Sequence, residues 1–92
     1  MIESFRHKGL RRLYRDDDGR GLPVDMVKRI RAILSALDEA QSTADMNRPS
    51  LKLHPLKGDW KGFWAVTVRA NWRIVFRFQD GAALDVDFVD YH

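Results

Sequence analysis

The chain has 92 residues, 45% of them hydrophobic and 32% charged, with a net charge of +3, a pI near 9.6 and no cysteine. That length supports one compact domain, 1–92, with one core, and the composition excludes disorder. Disulfides, thiolate nucleophiles and Cys-bound zinc are excluded, no apolar run nears the roughly 20 residues that span a bilayer, and MIESFRHKGL lacks the apolar stretch of a secretory signal; the expectation is a cytoplasmic protein with a mildly basic surface.

Ile2 to Phe5 reads as a short first strand. Leu10, Leu13 and Tyr14 form one helical stripe over Lys8 to Arg15, leaving Arg11, Arg12 and Arg15 to solvent, with His7 as a solvated residue at the helix start. Asp16-Asp17-Asp18-Gly19-Arg20-Gly21 breaks the pattern as a surface loop, since a calcium loop needs alternating carboxylates and a distal Glu. Pro23 suits the first turn of a second helix, whose stripe Val27, Ile30, Leu34 and Leu37 runs to about Glu39. Asp38 and Glu39 fall where the helix dipole prefers cations. A short turn around Thr43 to Met46 and the Arg48-Pro49 break leave the helical half.

Leu51 and Leu53 suggest a strand that stops at His54-Pro55, and Gly58 and Gly62 bracket a loop with Lys57, Asp59, Trp60 and Lys61 at its tip. Phe63 to Arg69 and Trp72 to Phe78 are rich in aromatic and β-branched residues and form two strands joined at Ala70-Asn71. A plain two-residue turn puts Arg69 and Trp72 on one face; a bulge puts Arg69 with Arg73 instead. Asp80-Gly81 is a hairpin signal. The last strand alternates Leu84, Val86 and Phe88 with Asp85, Asp87 and Val89. Strand, two helices and then antiparallel strands describe an α+β domain, both helices on one face of a small twisted sheet.

Lys52, Lys57, Lys61, Arg69, Arg73 and Arg77 stand against one acid, Asp59, in the same stretch, a local positive field suited to a polyanion. RNA is cut without metal when a base takes the ribose 2′-hydroxyl proton, the oxygen attacks phosphorus, and an acid protonates the departing 5′ oxygen. His54, Asp90, Tyr91 and His92 are the candidates for proton transfer, orientation and stacking, and Lys57, Arg69 and Arg73 for phosphate charge. Asn71 is able to read a base edge. Each has a plainer alternative: His54 as a strand-ending residue, Tyr91 as a core aromatic, Asp90-Tyr91-His92 as a loose tail, Arg69 and Arg73 as hairpin decoration, Asn71 as a turn residue. Three widely separated histidines without an i, i+4 pair suggest no metal site, and no cofactor is called for.

The stretch LHPLKGDWKGFWAVTVRANWRIVFRF followed by VDYH resembles the HigB toxins of bacterial HigB–HigA toxin–antitoxin modules, within the RelE/ParE superfamily, over essentially the whole chain. The resemblance implies a RelE-like fold and a ribosome-dependent mRNA endonuclease that enters the A site of the 70S ribosome and leaves a 2′,3′-cyclic or 3′ phosphate and a 5′ hydroxyl. It implies catalytic roles for His54, Asp90, Tyr91 and His92, phosphate or mRNA contacts for Lys57 and Arg73, and codon reading for Asn71; Arg69 is added from charge alone. It also implies a HigA antitoxin of helix-turn-helix type, with operator DNA bound through the complex. A ParE-like toxin that inhibits DNA gyrase needs no acid or base, and a catalytically idle partner of the antitoxin is the third reading.

Overall fold

The computed structural model describes residues 1–91. Its elements are α1 (Lys8–Asp16), α2 (Val27–Glu39), β1 (His54–Pro55), β2 (Trp64–Arg69), β3 (Trp72–Gln79) and β4 (Ala82–Asp90), with 3-10 turns at Val24–Met26, Thr43–Met46 and Gly58–Trp60. The four strands form an antiparallel meander in chain order. Both helices bury their stripes on one sheet face, where Leu10, Leu13, Ile30, Leu34 and Leu37 meet Val66, Ile74, Phe76, Val86 and Phe88. Each such side chain withdrawn from water contributes about 1.5–3 kcal/mol before chain entropy is set against it.

The N-terminal segment pairs with β4 in parallel through two separate bridges, Ile2 to Ala83 and Phe5 to Val86, rather than as a continuous strand. The cause is a bulge in β4. Val75 lies opposite Asp87 but Arg77 lies opposite Leu84, so β4 carries one extra residue, and Asp85 sits there with φ of 53°. Ser4 Oγ accepts from the Asp85 N–H, and Ser4 O accepts from Val86 N. The bulge also corrects the expected alternation: Ala83, Val86 and Phe88 join the helix-side core, while Leu84 is only half-buried.

α1 begins at His7, whose Nδ1 accepts from Leu10 N (3.2 Å) and whose ring meets Phe88 edge-on, so this histidine is a half-buried cap rather than a solvated residue. At the other end Asp17 takes the left-handed conformation that closes the helix and bonds Arg31. Asp18 is gripped by Arg20, whose guanidinium and backbone N–H hold its carboxyl down to about 2. The acidic loop is thus a set of local cation contacts. Pro23 lies one position before the 3-10 turn that leads into α2, in keeping with its missing N–H.

Asp38 at the end of α2 has its own cations and donors. It accepts from Ile2 N (3.2 Å) and from Tyr14 Oη (2.7 Å), and its backbone oxygen accepts from the Met1 ammonium. These contacts tie the chain start, α1 and α2 together. The bond to the Asp38 carboxylate, with partial burial and the nearby negative charge, pushes the Tyr14 phenol above its ordinary 10.0.

Two outcomes follow. Asp38→Ala is expected to lower unfolding free energy in urea by about 1 kcal/mol, the net worth of half-exposed hydrogen bonds. A phenol whose ionisation is raised by folding gives stability that is complete below the unfolded value near 10 and lost as pH rises through the folded one. Melting temperatures from pH 8 to 11 should therefore fall more steeply for the parent chain than for Tyr14→Phe.

Candidate functional site

Neither α1 nor α2 covers the second face of the sheet; there Leu56, Phe63 and Trp60, around the 3-10 turn, pack on Ala65 and Val75. Directly paired residues in a sheet share a face, so the register defines what this face presents: a row His54, Ala65, Val75 and Asp87 across β1 to β4, and a second row Thr67, Arg73 and Val89. Ala65 and Val75, with Leu56 and Phe63, form a small apolar cluster separate from the main core. At strand spacings of about 4.8 Å and rises of about 3.3 Å per residue, the His54 and Arg73 backbones lie roughly 12 Å apart. That gap is one a ribose phosphate and two long side chains can fill.

β1 is shorter than the sequence suggests, because Leu51 and Lys52 belong to a turn and Lys52 has φ of 51°. This sparsely populated conformation is held from both sides: Leu51 O accepts from Thr67 N (2.8 Å), and Arg29 donates to Ser50 O and Thr67 O. It aims the Lys52 carbonyl at His54 Nδ1, 3.0 Å away. A carbonyl only accepts, so Nδ1 bears the proton and the neutral ring keeps its lone pair on Nε2. His54 is half-buried and this tautomer leaves Nε2 to act as a base; once protonated the ring is an acid.

Lys57 follows β1 in a loop closed by Leu56 N to Phe63 O, and is exposed. Positive φ at Gly58 and Gly62 shapes that loop. The turn between β2 and β3 has two central residues: Arg69 pairs with Trp72, and Ala70 takes φ of 51°. A bulge lies one step inside it, between Thr67 and Arg69, so Arg73 lies opposite Thr67 and is separated from Arg69. Arg73 Nη1 donates to Ala70 O and Trp72 O, and its Nε is buried with no hydrogen-bond partner among the described residues.

Beside the same turn, Tyr91 N donates to Asn71 O (2.8 Å), extending the pairing past β4. Both residues are exposed. Alternation gives Tyr91 the side of Val89, the open face. Asp90 pairs with Trp72 and takes the side of Phe88, at the rim of the helix-covered face. Trp72 stacks on Phe88 (4.6 Å, 16°), which anchors this end of β4. Arg69 ion-pairs with Asp25 before α2 and also belongs to the helix side. His92 lies outside the described residues. The register therefore assembles His54, Arg73 and Tyr91 on one face with Asn71 and Lys57 at its edges, and sets Arg69 and Asp90 apart.

Sequence reasoning passed over Asp87, which shares the His54 row, and Arg6, which meets Phe63 on the open side; Arg77, counted there only toward the positive field, meets the same ring. The alternation of β4 marked Asp87 as turned from the core; nothing local to MIESFRHKGL connects Arg6 with a residue 57 positions on. A cleft between the helices, lined by Leu13, Tyr14, Arg31 and Asp38, lies on the far side of the sheet from His54. The candidate site is an open strip, the shape that suits a strand rather than a small molecule.

A two-helix layer on an antiparallel meander, with a basic second face, defines a small α+β domain suited to a polyanion. The chain belongs to the HigB-like toxin family, whose sequence model, a RelE-like toxin of type II toxin-antitoxin system HigB, matches residues 3–92. It is 49% identical to Endoribonuclease HigB of Proteus vulgaris over 92 residues, with 100% of both chains covered. It is 31% identical to Toxin HigB-1 of Vibrio cholerae over 94 residues, covering 100% of this chain and 98% of that one. The fold is similar to that in the YoeB-YefM complex from Staphylococcus aureus, at a TM-score of 0.58 and 18% identity, with 100% of this chain and 98% of that chain covered.

The placement of the two arginines is directly measurable. Arg69→Ala removes an exposed ion pair and should change unfolding free energy by no more than about 0.2–1 kcal/mol. Its binding to single-stranded RNA should stay close to that of the parent chain, whereas Arg73→Ala should weaken binding and flatten its salt dependence.

Proposed function

We propose that this chain is a ribosome-dependent endoribonuclease that cuts mRNA in the A site and so stops translation. The observation that supports this best is the shared sheet face of His54, Arg73 and Tyr91, away from both helices and basic along its edge. His54 Nε2 and a second proton-transfer group from the Tyr91–His92 end serve as base and acid, with Asp90 behind them on the other side of the strand. One takes the 2′-hydroxyl proton, the 2′ oxygen bonds to phosphorus, the bond to the 5′ oxygen breaks, and the other protonates that oxygen. The products are a 2′,3′-cyclic phosphate and a 5′ hydroxyl.

Arg73 and Lys57 meet the charge that gathers on the phosphorane oxygens. Asn71, beside Tyr91 at the hairpin tip, contacts a base of the codon. Arg69, bonded to Asp25, is at most a distant contributor to the field. The reading extends to a cytoplasmic protein held by a HigA antitoxin, the pair binding operator DNA through the antitoxin. The likeness to Endoribonuclease HigB of Proteus vulgaris at 49% identity supports the activity.

The deciding experiment is single-turnover cleavage of mRNA on programmed ribosomes. Loss of one general acid or base costs about 10²–10⁴-fold, so His54→Ala should cut at least a hundredfold more slowly with its melting temperature nearly unchanged. Undiminished cleavage by that variant, or gyrase inhibition without any cleavage, would overturn the reading.

A further inference from the structure

Two residues before Ala65 of the His54 row, and just ahead of β2, Phe63 has two guanidinium groups near its ring. Arg6 Cζ is 4.9 Å and Arg77 Cζ 5.8 Å from its ring centroid, and Trp60 meets the ring edge-on at 5.1 Å and 87°. Arg77 is fixed by Nε and Nη2 bonds to Asp85, the bulge residue of β4. Arg6 is fixed at its backbone, where its N–H donates to Val86 O, while its side chain is exposed. Phe63 itself is only 7% exposed, so the surface offered to solvent here is the Arg6 guanidinium with the half-buried Trp60 beside it.

We infer that Arg6, Phe63 and Trp60, backed by Arg77, form a stacking subsite for one nucleobase of the RNA next to the scissile phosphate. The inference rests on the nuclease reading above and adds to it where a neighbouring nucleotide is held. Three physical facts converge. A planar cation laid over an aromatic ring is the surface on which unpaired bases stack, and its charge also suits the flanking phosphate. The subsite shares the sheet face of His54 and Arg73, and Arg73, Val75 and Arg77 follow one another at alternate positions of β3. Arg73 and Arg77 lie about 13 Å apart along that strand, with the His54 row between them, so an extended RNA strand that meets Arg73 at one end reaches Arg6 at the other. A cover for the apolar cluster alone requires no charge; two arginines on one phenyl ring supply it twice.

The test uses the full chain, programmed ribosomes and mRNAs carrying an abasic ribose at each nucleotide within about three positions of the cut. The parent chain should show one position on one side of the cut at which the missing base slows cleavage about tenfold, the low-to-middle worth of one stacked base. Arg6→Gln should slow cleavage of unmodified mRNA by a similar factor and be indifferent to the abasic ribose at that position. Arg6→Lys, which keeps charge and loses the plane, should behave as Arg6→Gln. Full activity in Arg6→Lys, a further loss of about tenfold when the abasic ribose is combined with Arg6→Gln, or no abasic-sensitive position in the parent chain would each overturn the subsite. The last of these needs no variant to fold. A parent chain that leaves unmodified mRNA uncut defeats the nuclease reading itself, and the subsite with it.

Discussion

Everything on this molecule follows from a sheet that has two faces and only enough helix to cover one. Two short amphipathic helices occupy one side, and the main core lies between them and the alternate positions of β2, β3 and β4. The other side must satisfy its apolar residues with little material. It does so with four buried residues, Leu56, Phe63, Ala65 and Val75, and surrounds them with imidazole, guanidinium and indole groups. Those are the side chains that both shield hydrocarbon and recognise nucleic acid. The polar rim of the face and the packing of its small cluster thus draw on the same residues.

Within that constraint, backbone irregularities do the aiming. Lys52 in the left-handed region points a carbonyl at His54 and so fixes which ring nitrogen is free. Ala70 closes a hairpin whose inner bulge separates Arg69 from Arg73. Asp85 in the β4 bulge reverses the alternation, brings Val86 to the core and bonds Arg77. None of these positions is a glycine, and each unfavourable φ costs of order 1–2 kcal/mol. They persist because neighbouring hydrogen bonds hold them, and each lies beside a residue of the open face, His54, Arg73 or Arg77.

The regular parts were readable in the sequence for the same reason that the irregular ones were not. Helical stripes, the aromatic strands and Asp80-Gly81 are local patterns, and their elements lie where the patterns put them. The turn at Ala70-Asn71 followed its simpler option, with Arg69 opposite Trp72. Bulges are decided by what the displaced residue gains elsewhere: Asp85 gains Ser4 and Arg77, residues 81 and 8 positions away. Asp38 looked misplaced at a helix end because its partners, the chain start and Tyr14, are contacts of the tertiary fold. In the candidate site, charge density and the HPLKG, VRANWRI and VDYH motifs marked the residues, but only the register separates His54, Arg73 and Tyr91 from Arg69 and Asp90.

The first six residues do more than add an edge to the sheet. They are moored at one end to Asp38 on the helix side and at the other lay Arg6 across Phe63 on the open side, with two bridges to β4 between. The two surfaces of the protein thus share a single short strap. A substitution at Asp38 and one at Phe63 therefore act on opposite ends of the same six residues, which β4 holds in the middle.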